Sequence, residues 1–372
     1  MIEIASIGVL SAFLFSYLSF LWGIQKGLRM VTPPKSNASP SSTVIVAARN
    51  EGRSIEQCLK ALVRQRYDRE KFDIIVVDDH SQDDTFRIAN SIALSTRAPR
   101  ITVLSLKEQS GKPTAISHAV RVARGEIILC TDADCVVPPS WTESMVRCFT
   151  PDIAFVAGPV LERPSGSVLS GLQSLEFLSL ITTAAGLIGL GKPIICNGAS
   201  IAYRKSAFEL ADGFGDHSSS CDDETLMQRM ILRNAGRVIF NADSDATVLT
   251  STPATISDFW QQRTRWAAKK GRYEDSSILR RLIVLYSFFA VVFITGLLAF
   301  VEPAVRLPLL GVLLTKALAD YFVLALGSRM FRQRLAFGQF LIAELFHVPY
   351  IALAALIGQV SSLRWKDRTL KQ

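Results

Sequence analysis

Glu126-Ile127-Ile128-Leu129-Cys130-Thr131-Asp132-Ala133-Asp134 is an apolar run that closes on two carboxylates spaced two residues apart. A short run of this kind, ended by polar turn residues, predicts a buried strand followed by a turn. Upstream the same texture repeats. Strands are predicted over Thr43–Ala47, Phe72–Val77 and Ile101–Leu104 in addition to Glu126–Thr131, and helices over Ile55–Val63, Thr85–Ala93 and Thr114–Ala123. Strands alternating with helices predict the α/β class, a parallel sheet covered by helices on both faces. Ligands of such sheets sit beyond the carboxyl ends of the strands. The residues there are Ala48-Arg49-Asn50-Glu51, Asp78-Asp79-His80-Ser81 and Asp132-Ala133-Asp134, so polar clusters fall where a site belongs.

Outside this stretch the composition changes. Apolar residues make up 49% of the 372 and charged residues 20%, with a mean hydropathy of +0.27, so the apolar excess must be concentrated in segments. Ile4–Ile24 carries no charge, and Leu282–Val301, Leu307–Leu326 and Phe337–Val360 are mostly apolar. Each has the roughly 20 residues that a bilayer crossing needs. The expected organisation is an N-terminal transmembrane anchor over 1–31, a Pro/Ser-rich linker over 32–42, an α/β domain over 43–254, an amphipathic interfacial segment over 255–280 and a C-terminal transmembrane region of about three segments over 281–372. Glu3 precedes the first apolar run, and Lys26, Arg29 and Lys35 follow it. That is the charge order of an uncleaved anchor with the following domain in the cytosol. The same count places Arg329, Arg332 and Arg334 inside but Arg364, Lys366, Arg368 and Lys371 outside, against the rule. Within Phe337–Val360, Glu344 and His347 stand one helical turn apart. Ionisable residues in a membrane segment mark either a functional site or a hydrogen-bonded contact between helices.

The net charge of +8 has a sufficient source in juxtamembrane basic residues between Arg263 and Arg281, suited to anionic headgroups. Nucleic acid is not an expected partner, because no basic stripe interleaves with aromatics. The six cysteines, at 58, 130, 135, 148, 196 and 221, form no Cys-x-x-Cys pair, and the four histidines do not cluster. They read as reduced thiols rather than as a disulfide framework or a zinc site.

Each polar cluster has a plain structural reading beside a functional one. Asp132 and Asp134 are either turn carboxylates or ligands of one hard divalent cation, Mg2+ or Mn2+, which takes oxygen donors and keeps sites for water and phosphate. Asp78 and Asp79 could form a turn and cap the helix near Thr85. Lys112, in Gly111-Lys112-Pro113, could be a solvated residue at a helix start. No Gly-rich phosphate loop is present, so a phosphate-bearing ligand needs other anchors. Asp222-Asp223-Glu224 either complements a helix N-terminus or supplies a general base, as crowded carboxylates do. Gln262, Arg265 and Trp266 share a helix face, as on a membrane-surface helix.

Taken in order, Val44-Ile45-Val46-Ala47-Ala48-Arg49-Asn50-Glu51, Val76-Val77-Asp78-Asp79-His80-Ser81, Gly111-Lys112, Asp132-Ala133-Asp134, Asn197-Gly198-Ala199, Asp222-Asp223 and Gln262-Arg263-Thr264-Arg265-Trp266 resemble a family 2 glycosyltransferase. The membrane arrangement is similar to that of cellulose and hyaluronan synthases and ceramide glucosyltransferase. The resemblance implies a GT-A (Rossmann-like) fold and inverting transfer of a sugar from a nucleoside-diphosphate sugar, UDP-sugar in the first place, to a hydroxyl of a lipid or glycan acceptor. Processive polysaccharide synthesis and a non-catalytic membrane scaffold are the alternatives. It also implies a bacterial inner-membrane location. Carried over by position, Ala47, Arg49, Glu51, Asp78, Asp79, Lys112 and Asp132 would hold the nucleotide sugar. Asp134, with Asp132, would hold the metal, and Asp223 would be the base. Arg265 would serve the diphosphate, while Gln262, Trp266 and Gly198 would line the acceptor side. Two positions depart from the pattern: the acidic pair is Asp-Asp instead of Glu-Asp, which keeps Asp222 as an alternative base, and Arg49 stands where Tyr is commoner.

Overall fold

A computed structural model describes residues 2–107, 110–215, 222–267, 275–360, 363–365 and 368–370. The chain begins with helix α1 (Ile2–Met30) and enters strand β1 (Ser42–Ala48), helix α2 (Ile55–Val63), β2 (Phe72–Asp78), α3 (Thr85–Ser95), β3 (Arg100–Ser105), α4 (Lys112–Val122) and β4 (Ile127–Asp132). Next come α5 (Trp141–Val146), β5 (Ile153–Ala157), β6 (Val160–Arg163), the long α6 (Val168–Gly189), β7 (Ile201–Arg204), α7 (Lys205–Leu210), α8 (Asp222–Leu232), β8 (Arg237–Phe240) and β9 (Val248–Ser251). The rest is α9 (Ile256–Ala267), α10 (Ser276–Leu298), α11 (Arg306–Met330), α12 (Phe337–Val360) and the short strands β10 (Leu363–Trp365) and β11 (Arg368–Leu370). Contacts divide these elements into two compact units, one formed by Arg29–Arg163 with Leu187–Thr252, the other by Met1–Leu28, Pro164–Gly186 and Pro253–Gln372.

The first unit is built on a sheet ordered β3-β2-β1-β4-β7-β5-β8. The central strands read as unbroken apolar runs because both faces are covered, and Val44, Ile74 and Ile128 are fully buried. Helix α2 covers them with Ile55, Cys58, Leu59 and Leu62, one apolar stripe at helical spacing. Pairings β1–β2, β1–β4 and β2–β3 are parallel. The expectation of an all-parallel sheet is corrected at β7, which runs antiparallel to both β4 and β5. The reversal has a geometric cause. With Cys130 opposite Ile201, the start of β7 instead of its end lies at the carboxyl end of β4. The 3-10 turn Gly198–Ser200, which leads into β7, is thereby delivered to the strand ends. A small parallel pair, β6–β9, forms a second sheet of this unit.

The second unit is helical. Helices α1, α6, α10, α11 and α12 are all long and apolar enough to cross a membrane. They approach closely where small residues allow it: a Cβ on Gly186 would lie 2.8 Å from the Ile24 carbonyl oxygen, and one on Gly327 would lie 2.0 Å from the Thr182 hydroxyl. Tyr17 stacks on Phe288 with ring centroids 4.4 Å apart, and the Tyr286 hydroxyl donates to the Ala352 carbonyl at 3.1 Å. Phe15, Trp22, Leu314, Leu318, Leu345 and Phe346 project outward from α1, α11 and α12, as side chains facing lipid would.

Helix α6 fell within the mixed-polarity middle of the sequence, yet Pro164–Gly186 packs with the helical unit. Its composition would permit a crossing, but topology forbids one. β4 and β5 precede it, β7 and β8 follow it, and all four pair in one sheet; a single crossing would put them on opposite sides of a bilayer. A helix apolar all round is then a buried helix, and Phe177, Leu178, Ile181, Ala184 and Ala185 are buried. The described cysteines Cys58, Cys130, Cys135, Cys148 and Cys196 are free thiols. Cys221 lies outside the described residues, as do Lys366 and Lys371 of the basic tail.

The seam between β1 and β4 depends on one glycine. A Cβ on Gly125 would lie 2.4 Å from the Thr43 backbone nitrogen and 2.6 Å from the Ser42 carbonyl carbon, and neither backbone atom can give way. Gly125→Ala is expected to cost about 1–3 kcal/mol, the usual range for overpacking, seen as a lower melting temperature of the purified chain in detergent.

Candidate active site

The loops after β1 and β2 are fastened to each other by main-chain donors. Asn50 N–H donates to the Ser81 hydroxyl at 3.0 Å, Glu51 N–H to the Thr85 hydroxyl at 2.7 Å, and Gln82 N–H to Asn50 Oδ1 at 2.8 Å. Gly52 N–H donates to Asp83 Oδ2 at 2.8 Å. Burial pushes the Asp83 carboxyl up, but hydrogen bonds from the Thr85 hydroxyl and the Gly52 and Thr85 amides outweigh it and leave the group below the usual carboxylate range. Asn50 and His80 both adopt left-handed backbone, at φ 51° and 57°. Strained non-glycine positions of this kind persist where the surroundings over-determine them, and they concentrate at functional sites.

Asp78 and Asp79 do not cap α3; its N-cap is Asp84. Asp79 Oδ2 accepts from the Gly111 amide at 3.0 Å and its Oδ1 meets His80 Nδ1 at 3.0 Å. Arg49 is buried and donates to the Asp79 carbonyl at 2.7 Å. Asp78 is 4% exposed, one oxygen accepts from the Ser81 amide at 3.3 Å, and the other is buried without a hydrogen-bond donor among the described residues. An orphaned buried carboxylate oxygen carries a desolvation cost of about 1–3 kcal/mol or more, which a ligand donor would remove. Ala47 and Glu51 stand at the same strand end, and Glu51 Oε2 accepts from the Ser54 hydroxyl at 2.8 Å.

Lys112 ties the second half of the site together. Its ammonium lies 2.8 Å from Asp132 Oδ1 and 3.7 Å from Asp223 Oδ1, with 24% of the side chain exposed. It is therefore an anchored cation between two acids instead of a solvated residue at a helix start. Asp223, in the first turn of α8, lies directly on Gly198: a Cβ there would fall 2.1 Å from Asp223 Oδ1. Asn197 fixes that turn, its side-chain oxygen accepting from the Ala199 amide at 3.0 Å. The Asp222 side chain lies outside the described residues.

Asp132, Asp134 and Cys135 each offer a ligand atom within 4.8 Å of the others. The donors divide by chemistry. Burial, reinforced by the charges of Asp134 and Asp132, pushes the Cys135 thiol well above its ordinary value, and sulfur is the soft donor of the set. Burial likewise pushes Cys58 up. What remains is a pair of carboxylates, the oxygen-donor set that hard divalent ions prefer.

Gln262, Arg265 and Trp266 belong to α9 in the helical unit. The residue that sequence reasoning missed there is Arg263. Assigned beforehand to the headgroup-facing basic residues, it is in fact 3% exposed and donates through Nε to Glu176 Oε2 at 2.9 Å. The Tyr350 hydroxyl donates to the same carboxylate at 3.1 Å. The Arg263 guanidinium lies 4.3 Å from the Trp266 ring centroid and 4.7 Å from that of Phe259, distances of cation–π contact. One signal was available: Glu176 is the lone charge in the apolar run Val168–Gly189.

A family model described as glycosyl transferase family 2 matches residues 43–210, and one described as glycosyl transferase family group 2 matches residues 127–357. Among curated proteins the chain is similar to poly-beta-1,6-N-acetyl-D-glucosamine synthase of Staphylococcus aureus (strain COL), 27% identical over 233 residues that cover 60% of this chain and 53% of that protein. The synthase of the same name from Staphylococcus epidermidis is 24% identical over 226 residues, with the same 60% and 53% coverage. The chain thus spans about half the length of the curated relatives it matches. Among solved structures it is similar to the mannosyltransferase PcManGT from Pyrobaculum calidifontis, in complex with GDP-Man and Mn2+, at 21% identity, covering 97% of this chain and 99% of that one with a TM-score of 0.61.

Because the Gly198 hydrogen is all that separates the turn from Asp223, Gly198→Ala should push the carboxylate away from Lys112. Were Asp223 the reacting carboxylate, a misplacement of about 1 Å could cost about 10²-fold in rate. A loss of that order in turnover, with donor binding retained, is the expected result of steady-state kinetics and titration on this variant.

Proposed function

Because the chain belongs to glycosyl transferase family group 2, we propose that it is a membrane-bound inverting glycosyltransferase. It moves a sugar from a nucleoside-diphosphate sugar, UDP-sugar in the first place, to a hydroxyl of a lipid or lipid-linked glycan. The observation that carries this reading is Lys112 held between Asp132 and Asp223 at the carboxyl ends of the strands. Such a site pairs a cation for a diphosphate with an acid placed to accept a proton.

Ala47, Arg49, Glu51, Asp78 and Asp79 form the nucleotide end. The buried oxygen of Asp78 that meets no donor among the described residues suits a hydroxyl or ring N–H of the nucleoside. Asp132 and Asp134 fit Mg2+ or Mn2+ by their oxygen chemistry. When bound, such an ion neutralises charge on the diphosphate leaving group. Lys112 adds a fixed positive charge at Asp132, where the diphosphate oxygens would lie. Asp223 takes the proton of the acceptor hydroxyl as that oxygen attacks the anomeric carbon, and Gly198 leaves room for the Asp223 carboxylate. Gln262 and Trp266 serve the acceptor and Arg265 the diphosphate. The α/β domain over 43–254 lies on the cytosolic side, following the basic residues Lys26, Arg29 and Lys35.

A second reading, stepwise extension of a polysaccharide, is favoured by the synthase activity printed for the staphylococcal relatives. The two differ in product. Mass analysis of lipid and glycan products yields a single sugar increment for one and a ladder for the other.

Calorimetric titration with UDP-sugar and Mn2+ tests the donor site: Asp134→Ala should abolish metal-dependent binding, and unchanged binding would reject the assignment. Asp223→Asn should bind donor almost normally and lose transfer by about 10²- to 10⁴-fold, the range of general-base help, with Asp222→Asn milder. The reverse pattern would move the base to Asp222.

A further inference from the structure

Glu344 and His347 find their partners on other helices. Lys316 of α11 is fully buried; its ammonium donates to Asp320 Oδ2 at 2.7 Å and to Glu344 Oε1, and lies 2.9 Å from His347 Nδ1. Tyr17 of α1 adds a hydrogen bond from its hydroxyl to Asp320 Oδ1 at 2.6 Å. From α10, the Phe289 ring covers the cluster, 5.3 Å from the His347 ring and 5.9 Å from Lys316 Nζ. Three helices thus contribute polar groups to one knot and a fourth closes it with an apolar ring. All of them are long and apolar enough to cross a membrane.

With Lys316 as an ammonium, the contact distances assign the other charges. An ammonium has three donors and no acceptor, and Lys316 spends them on Asp320, Glu344 and His347. With Lys316 an ammonium, Nδ1 of His347 is the acceptor of that contact and the imidazole is neutral, its proton on Nε2. Asp320 receives a donor on each oxygen and is ionised. One ammonium facing two carboxylates leaves a negative charge uncompensated, which is costly in an apolar bundle. Glu344 Oε2 is placed differently from the other carboxylate oxygens: it lies 3.8 Å from His347 Nδ1, beyond hydrogen-bond range.

We propose that Lys316, Asp320, Glu344, His347 and Tyr17 form a proton-binding site inside the helical unit, which takes one proton from water on Glu344 Oε2. The proton converts that carboxylate to a neutral carboxylic acid and balances the knot. Occupancy of the site links the packing of α1, α11 and α12 to the acidity of the aqueous phase.

The test is infrared spectroscopy of the full chain in lipid nanodiscs at neutral pH, in H2O and D2O, with nitrogen NMR of labelled histidine. Wild type should show a protonated-carboxyl C=O band that is lost in Glu344→Gln. The band should also vanish in Asp320→Asn, where Glu344 is intact but one carboxylate now balances Lys316. Its persistence in either variant, or its absence from wild type, overturns the proposal. So does a doubly protonated His347 with both carboxylates ionised.

Discussion

The antiparallel pairing of β4 with β7 is the constraint on which the rest depends. β4 ends in Asp132, and β7 begins directly after the turn Gly198–Ser200. Placing Cys130 opposite Ile201 brings two stretches far apart in sequence to one end of a sheet. Helix α8 then sets Asp223 on Gly198, and Lys112, from the first turn of α4, closes the gap between the two acids. No single element contains the site. It exists because one strand of an otherwise parallel arrangement runs backward.

Much of the α/β unit was legible because its strands are buried on both faces and its helices are amphipathic, so their periods differ plainly. The strands and helices from β1 to β4 lie where hydropathy put them. The direction of β7 was not legible, since four residues carry no signal for which way they pair. Helix α6 was hidden for a related reason: a helix apolar all round, such as Val168–Gly189, reads like a strand-rich core in composition and like a membrane span in length. Only the strand pairing on either side of it removes the second possibility.

Side-chain roles were harder to read than elements. Lys112 and the pair Asp78-Asp79 each had an ordinary explanation that sequence could not dismiss; distances removed solvation for Lys112 and the helix cap for Asp78-Asp79, while the turn stands in the Asp78 bond to the Ser81 amide. Lys112 contacts two acids drawn from separate parts of the chain, and Asp79 holds the Gly111 amide instead of a helix end. Arg263 misled in the opposite sense. An arginine beside a membrane segment suggests headgroups, but a single glutamate within α6 and a sandwich of aromatic rings draw it inward. Glu344 and His347 showed only half of their network, because spacing reports neighbours on one helix and is blind to Lys316 on the next.

The late arrival of β7 also bears on how the molecule is made. β1 to β4 can pair as soon as they leave the ribosome, but the exposed edge of β4 has no partner until α6 and the turn after it have been synthesised. During that interval the nascent chain presents an open strand edge, the kind of surface that invites pairing with other chains. At the same moment α6, a helix of membrane length, is complete while the strand that returns the chain to the sheet is not. The few residues of β7 close that edge.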